Sequence, residues 1–259
     1  QKAFAKFALG FPLEIMSDPQ IFSVRAVDIA CGEEQYYTRS YTNFNRHKFD
    51  LWLASLVPDT VTMIDNTKCS SVERTSHGFQ LSYQAHEKKH KLTATYVVGA
   101  EGARSLVRDT LFPTPIRQYL AIQHSFSVEK EHTISPHYTT FFHKDITDSY
   151  GWIGIKDGKA QLGAALYPKT AAQDFLRIKE YFQKEGYPFD TPSKVEACLI
   201  NRPASIRELE TGKDNAFLIG EAAGFVSTSS LEGISYAMES AMLLAESLNN
   251  SKNPNRAYR

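Results

Sequence analysis

Only three cysteines, Cys31, Cys69 and Cys198, occur in the 259 residues, an odd number set far apart. They form neither a disulfide framework nor a metal pattern, and a reducing cytoplasm suits them. No apolar run approaches the ~20 residues needed to cross a bilayer, and the opening residues lack the basic-then-apolar layout of a signal peptide. A transmembrane helix is therefore not expected, although peripheral membrane contact stays open. Surplus charge is missing as well, since 29 Lys+Arg face 29 Asp+Glu and the formal net charge is zero. Without a basic field, a nucleic-acid partner is not expected. Finally, no two of the 14 glycines are separated by a single residue. The tight G-x-G turn that opens a dinucleotide-binding βαβ unit is thus absent from these residues.

What is present is enough chain to bury a substantial core, as one large domain or two interleaved ones. The most informative stretch is Ala216 to Leu248. Its first residues are a short apolar run ending at Gly220, which reads as a buried strand of a parallel sheet. From Gly233 onward, Ile234, Ala237, Met238, Ala241, Leu244, Ala245 and Leu248 keep the spacing of one helix face. Ser229 and Glu232 stand in the relation of a capping box, so the helix is expected to start near Ser230. Strand, small-residue turn and helix together make a place where backbone can lie against a flat or anionic ligand. A second such place follows the strand ending at Val98, where Gly99-Ala100-Glu101-Gly102-Ala103-Arg104-Ser105-Leu106-Val107-Arg108 runs through a turn into a short helix. By pattern alone, either could be an ordinary helix-capping loop.

The rest of the chain reads as follows. Residues 21–30 and 35–42 predict an antiparallel hairpin about Cys31–Glu34. Arg46 precedes a helix whose Phe49, Trp52, Leu53 and Leu56 share a face, and Pro58 closes it. TVTMID at 60–65, then CSSVERT, GFQLSY and LTATYVV, predict a run of strands, with the charged EKKHK at 87–91 as a solvated hairpin tip. Pro113-Thr114-Pro115 marks a crossover between lobes. Four aromatic-rich strands follow, then a helix at roughly 169–185 with Phe175, Ile178, Tyr181 and Phe182 on one face. Such a sheet can be wet on one face, which may then line a pocket. His124, His132, His137 and His143 match no metal spacing and read as surface or core residues. The opening QKAFAKFAL reads as the inside of a helix and the closing AYR carries no stop signal, so the sequence is expected to be part of a longer protein.

The string Gly220-Glu221-Ala222-Ala223-Gly224, running on to Gly233-Ile234, resembles the second flavin-contacting motif of the para-hydroxybenzoate hydroxylase-type FAD oxidoreductases, most of all their geranylgeranyl reductase-like branch. Glu221 replaces that family's usual Asp, and Thr228 stands where a Pro is common. The 99–108 stretch resembles the same family's Gly-Ala-Asp-Gly-x-x-Ser-x-x-Arg motif, with Glu101 for the Asp and Gly102, Ser105 and Arg108 in place. Arg46, leading Arg-x-x-Phe-Asp-x-x-Leu, resembles the family's arginine near the flavin pyrophosphate, and a solvated helix charge is the equal alternative. Tyr150-Gly151-Trp152-Ile153-Gly154 resembles the prenyl reductases' aromatic strand over the flavin, with a core aromatic as the alternative for Trp152. A halogenase is disfavoured because its signature needs a second tryptophan near Trp152, and Trp52 is the only other one.

The resemblance implies an α+β protein: an α/β FAD-binding lobe from 43–115 and 206–250, and an antiparallel substrate lobe from 21–42 and 116–205. It implies FAD held by Arg46, Glu101, Gly102, Gly220, Glu221, Gly224, Gly233 and Ile234, with Tyr150 and Trp152 toward an apolar or aromatic small molecule. NADPH is the candidate electron donor, and the reaction is reduction of a prenyl-like substrate or monooxygenation. No side chain announces itself as an acid or base catalyst. In the family, the G-x-G-x-x-G unit lies upstream of the helix that Gln1 enters, so these residues alone are expected to bind FAD weakly or not at all. A non-catalytic ligand carrier, or an inactive core piece, is the rival reading.

Overall fold

The computed structural model describes residues 2–128 and 137–259; Gln1 and His132 lie outside the described residues. Its first half runs α1 (Lys2–Lys6), β1 (Ile21–Asp28), β2 (Glu33–Tyr41), α2 (Arg46–Ser55), β3 (Lys68–Thr75), β4 (Gly78–Ala85), β5 (Lys88–Ala94), β6 (Val97–Gly99) and α3 (Leu106–Leu111). The second half runs β7 (Gln118–Ser127), β8 (Tyr138–Phe142), β9 (Gly151–Lys156), β10 (Lys159–Leu166), α4 (Ala171–Lys184), β11 (Lys194–Asn201), β12 (Gly212–Lys213), β13 (Ala216–Leu218), α5 (Ile234–Asn250) and α6 (Pro254–Ala257). The class is α+β, as expected. The chain divides into two compact units, Gln1–Pro58 with Tyr119–Cys198 and Asp59–Gln118 with Leu199–Arg259. Among the described residues no helix is long and apolar enough to cross a membrane.

The first unit is built on a seven-stranded sheet in the order β11-β7-β10-β9-β8-β1-β2. Its hairpins pair antiparallel, but β1 and β8 run parallel, so the sheet is mixed where a purely antiparallel one was expected. Helix α4 covers one face because Ala171, Phe175, Ile178 and Phe182 recur at helical spacing, and all four are buried. They pack on Ile122, Phe126, Phe141, Ile153 and Leu162. Burying such side chains stabilises by roughly 1.5–3 kcal/mol each, an upper figure because the unfolded chain already hides part of them. Residues 43–58 fall in this unit, not with 59–115 as expected. The cause is an aromatic cluster: Phe49, 1% exposed, packs on Phe4 at 5.6 Å and Phe44 at 4.8 Å between ring centres.

The second unit holds two three-stranded sheets, β3-β4-β5 and β12-β13-β6. Its core joins Val72, Phe79, Val97, Val107, Phe112, Leu218 and Ala222. Two expected strands come out differently. Residues 60–65 lie outside any strand, with Val61 52%, Met63 55% and Ile64 49% exposed, because no neighbouring strand takes up their backbone groups among the described residues. The run LTATYVV breaks at Thr95 and Tyr96, so that β5 closes one sheet and β6 starts in the other. The hairpin tip is shorter than expected: His86 and Glu87, both at positive φ, make the turn, and Lys88–Lys91 belong to β5. Residues 199–205 also fall in this unit.

Candidate functional site

Strands β6 and β13 lie side by side and parallel, with Val97 opposite Ala216 and Gly99 opposite Leu218. Just past them, the Ile219 N–H donates to the Gly99 carbonyl at 3.0 Å. Each strand then turns into a short 3-10 segment, Gly102–Arg104 after β6 and Gly220–Ala223 after β13. The two glycine-bearing bends therefore sit together at the carboxyl ends of adjacent parallel strands, where α/β sheets take up ligands.

The glycines explain how close this corner is. A Cβ on Gly99 would stand 2.6 Å from Leu218 Cδ2 and 2.8 Å from Val107 Cβ. Gly220 has φ +54°, and a Cβ there would meet Ala237 Cβ at 3.0 Å, so the bend rests directly on α5. Its N–H donates to Ser240 Oγ at 2.8 Å. Gly102, at φ +73°, is different: only Glu221 Oε2, at 3.7 Å, comes near the position of an added Cβ. Gly224, at φ +88°, keeps clear of Leu209 and Ile116.

The two acids are held by the protein itself. The Glu101 carboxylate accepts Ser105 Oγ–H at 2.6 Å and the Val107 N–H at 3.3 Å, while Ser105 Oγ accepts the Arg108 N–H at 3.1 Å and so caps α3. Glu221 is half-buried, and its Oε1 accepts the Asn201 N–H at 2.7 Å. Burial pushes this carboxyl above the ordinary carboxylate value, and the Asn201 N–H pulls the other way. Arg108, at the end of the first motif, is 3% exposed. Its guanidinium donates to the carbonyls of Ala222 at 2.8 Å, Glu208 at 2.6 Å and Thr114 at 3.3 Å. Burial lowers its pKa, opposed by Glu210, Asp109 and Glu208.

Helix α5 begins at Ile234 with Gly233 as its N-cap, four residues beyond the expected start. The capping box does not form. Leu231 adopts φ +54°, which breaks the helical path, and Ser227 gathers the loop by accepting the Leu231 N–H at 2.9 Å and meeting Ser229 Oγ at 3.2 Å. The N-cap Gly233 has no side chain to cap the first turn of α5, so among the described residues its leading N–H groups and the positive end of its dipole suit an incoming acceptor. A Cβ on Gly233 would find only Val226 Cγ2, at 4.0 Å. Val226 also lines a cavity of about 390 Å³ with Pro203, Ile206, Leu209, Phe225 and Tyr236.

Three expected site residues belong to the first unit. Arg46 leads α2, capped by Asn45, and its guanidinium pairs with Asp50 at 2.9 Å while 64% exposed. Trp152 Nε1–H donates to Gln123 Oε1 at 2.9 Å, and the Tyr150 ring lies 6.0 Å from the Trp152 ring. The sequence reading passed over Gln118, Asn201, Ser240 and Tyr258.

Comparison with known proteins decides what this corner belongs to. A profile described as FAD binding domain matches residues 35–253. The chain belongs to the FAD binding domain family. Protein CbrA of Escherichia coli O9:H4 (strain HS) is 41% identical over 260 residues, spanning all of this chain and 70% of that protein. The fold is also that of a geranylgeranyl bacteriochlorophyll reductase-like protein from Thermoplasma acidophilum, with TM-score 0.77 at 14% identity over all of this chain and 70% of that one. Klebsiella pneumoniae HpxO, complexed with FAD and uric acid, gives TM-score 0.65 at 14% identity over all of this chain and 71% of that one. FAD is thus the cofactor of this FAD binding domain protein. The residues fit such a group: an added Cβ at Gly102 or Gly233 would have a single neighbour, at 3.7 and 4.0 Å, so these bends are loosely surrounded and suit the approach of a flat or anionic ligand to the backbone.

Proposed function

We propose that this protein is a flavin-dependent reductase of an apolar, prenyl-like substrate, with NADPH as electron donor. When bound, FAD supplies hydride transfer. The chain's own part is binding and electrostatics. Gly233 and Ile234 would offer the flavin backbone N–H groups and the positive end of α5, which would favour negative charge on the ring. The bends at Glu101-Gly102 and Gly220-Glu221, with Gly224 closing the second, receive the ribityl and pyrophosphate parts. For Arg46 as a pyrophosphate partner, and for Tyr150 and Trp152 as substrate-facing residues, the reading rests on sequence resemblance. The observation that carries the proposal is the uncapped start of α5 next to the glycine bends. In support of an apolar substrate, no charged side chain lines the cavity beside Val226, and the Thermoplasma protein is named as a geranylgeranyl bacteriochlorophyll reductase-like one.

The test is FAD titration of the full-length protein by fluorescence quenching, then NADPH bleaching with geranylgeraniol under argon and, separately, NADPH turnover with 4-hydroxybenzoate in air, each with product analysis. Saturation of the prenyl chain is the expected result. Hydroxylation of the aromatic probe would replace the reductase by a monooxygenase, and absence of flavin binding would leave a carrier.

A further inference from the structure

Two amide side chains, Gln118 and Asn201, link the glycine bends by a chain of directed hydrogen bonds. Gln118 Nε2 donates to the Ala103 carbonyl at 2.7 Å and to Asn201 Oδ1 at 2.9 Å. Asn201 Nδ2 then donates to the Glu221 carbonyl at 2.9 Å, while the Asn201 N–H donates to Glu221 Oε1 at 2.7 Å. Ala103 follows Gly102 in the first bend, and Glu221 follows Gly220 in the second.

Each amide works in one orientation only. Turning Gln118 over would set its oxygen against the Ala103 carbonyl, and turning Asn201 over would set its oxygen against the Glu221 carbonyl. Asn201 is 0% exposed, so water cannot substitute for a lost partner there. Both residues are distant in sequence from the motifs they join. We infer that Gln118 and Asn201 are positioning residues whose side chains fix the spacing of the two cofactor-binding bends. This rests on the bends being the seat of FAD.

The test uses Asn201→Ala, Asn201→Asp, Gln118→Leu and the Gln118→Leu/Asn201→Ala double variant in the full-length protein that carries this chain. Amide hydrogen exchange at 100–105 and 220–224 is read at a temperature where each variant is folded. Breaking the chain once breaks the link, so either single variant should raise exchange at both bends at least tenfold, and the double variant should add little. Asn201→Asp should match Asn201→Ala near neutral pH, because a carboxylate cannot donate to Glu221. FAD affinity, read by fluorescence quenching, should fall about tenfold in each. A purely structural role would lower Tm and leave that affinity unchanged, which overturns the inference; so does loosening confined to one bend, or additive effects in the double variant. Should Asn201→Ala fail to fold, Gln118→Leu alone decides. If the unaltered protein binds no FAD, the reading of the bends fails separately, and the exchange measurements still settle the link.

Discussion

Trp152 lies flat on the backbone of Gly163, its register partner across the β9–β10 pair: a Cβ on that glycine would stand 2.3 Å from the indole Cε2. The ring has nowhere to retreat while its Nε1–H is held by Gln123. Gly163→Ala should therefore lift the indole, break the Gln123 bond and destabilise the protein by about 1–3 kcal/mol. Tryptophan emission in a Trp52→Phe background reads the change directly. An unshifted spectrum would mean that the ring does not rest on Gly163.

Gly220 and Gly102 separate two kinds of glycine requirement. Both have positive φ, but only at Gly220 does an added Cβ meet another backbone, Ala237 Cα at 3.2 Å. Gly220→Ala should cost about 2–4 kcal/mol from strain and crowding together, and Gly102→Ala only about 1 kcal/mol from conformation. Denaturant midpoints compare them, and equal losses would contradict the looser surroundings of Gly102.

Arg108 is a buried cation that serves three carbonyls. Arg108→Met leaves those oxygens without their donor and should cost roughly 3 kcal/mol, whereas Arg108→Lys, with one compact donor group, should fall between. Urea unfolding provides the values; a neutral Arg108→Met would show that the carbonyls find other donors.

Glu221 should mark the pH profile. Its carboxyl is held above 4.5 by burial, so the folded protein keeps the proton more tightly than the unfolded chain does. The stability it contributes is full below the unfolded value and is lost as pH rises through the folded one. Relative to the unaltered protein, Glu221→Gln should thus gain stability as pH rises out of the ordinary carboxylate range. A gap that stays constant over that rise, in denaturation at several pH values, would falsify the shift.

Tyr258 sets the alkaline side. Burial pushes its phenol up to about 12, and its O–H donates to the Leu218 carbonyl at 2.9 Å. The stability it contributes is whole below the unfolded value near 10 and is lost as pH rises toward about 12. Tyr258→Phe should cost about 1 kcal/mol at neutral pH and flatten that alkaline loss. Absorbance titration of the tyrosines, comparing the two proteins, tests the assignment.

The corner at Gly99 and Gly220 was legible in the sequence because glycine spacing and an apolar strand are both local signals. So was α4, whose stripe of Phe175, Ile178 and Phe182 needs no knowledge of its partners. Residues 60–65 misled because alternation describes side-chain faces, whereas a strand also needs a neighbour for its backbone. The start of α5 misled because Ser229 and Glu232 have the right spacing for a cap, yet the left-handed Leu231 lies between them. Gln118 and Asn201 were out of reach altogether. Their meeting is made by the ends of β7 and β11, and nothing in their local residues predicts it.

The interleaving of the two units has a consequence for how the protein is made. Val97 finds its strand partner only when Ala216 has been synthesised, and the sheet of the first unit waits for β10 and β11 to complete it. A ribosome-bound nascent chain therefore carries open strand edges for most of its synthesis, a state prone to association with its neighbours. Low temperature or a supply of holdase chaperones should therefore raise the yield of native protein.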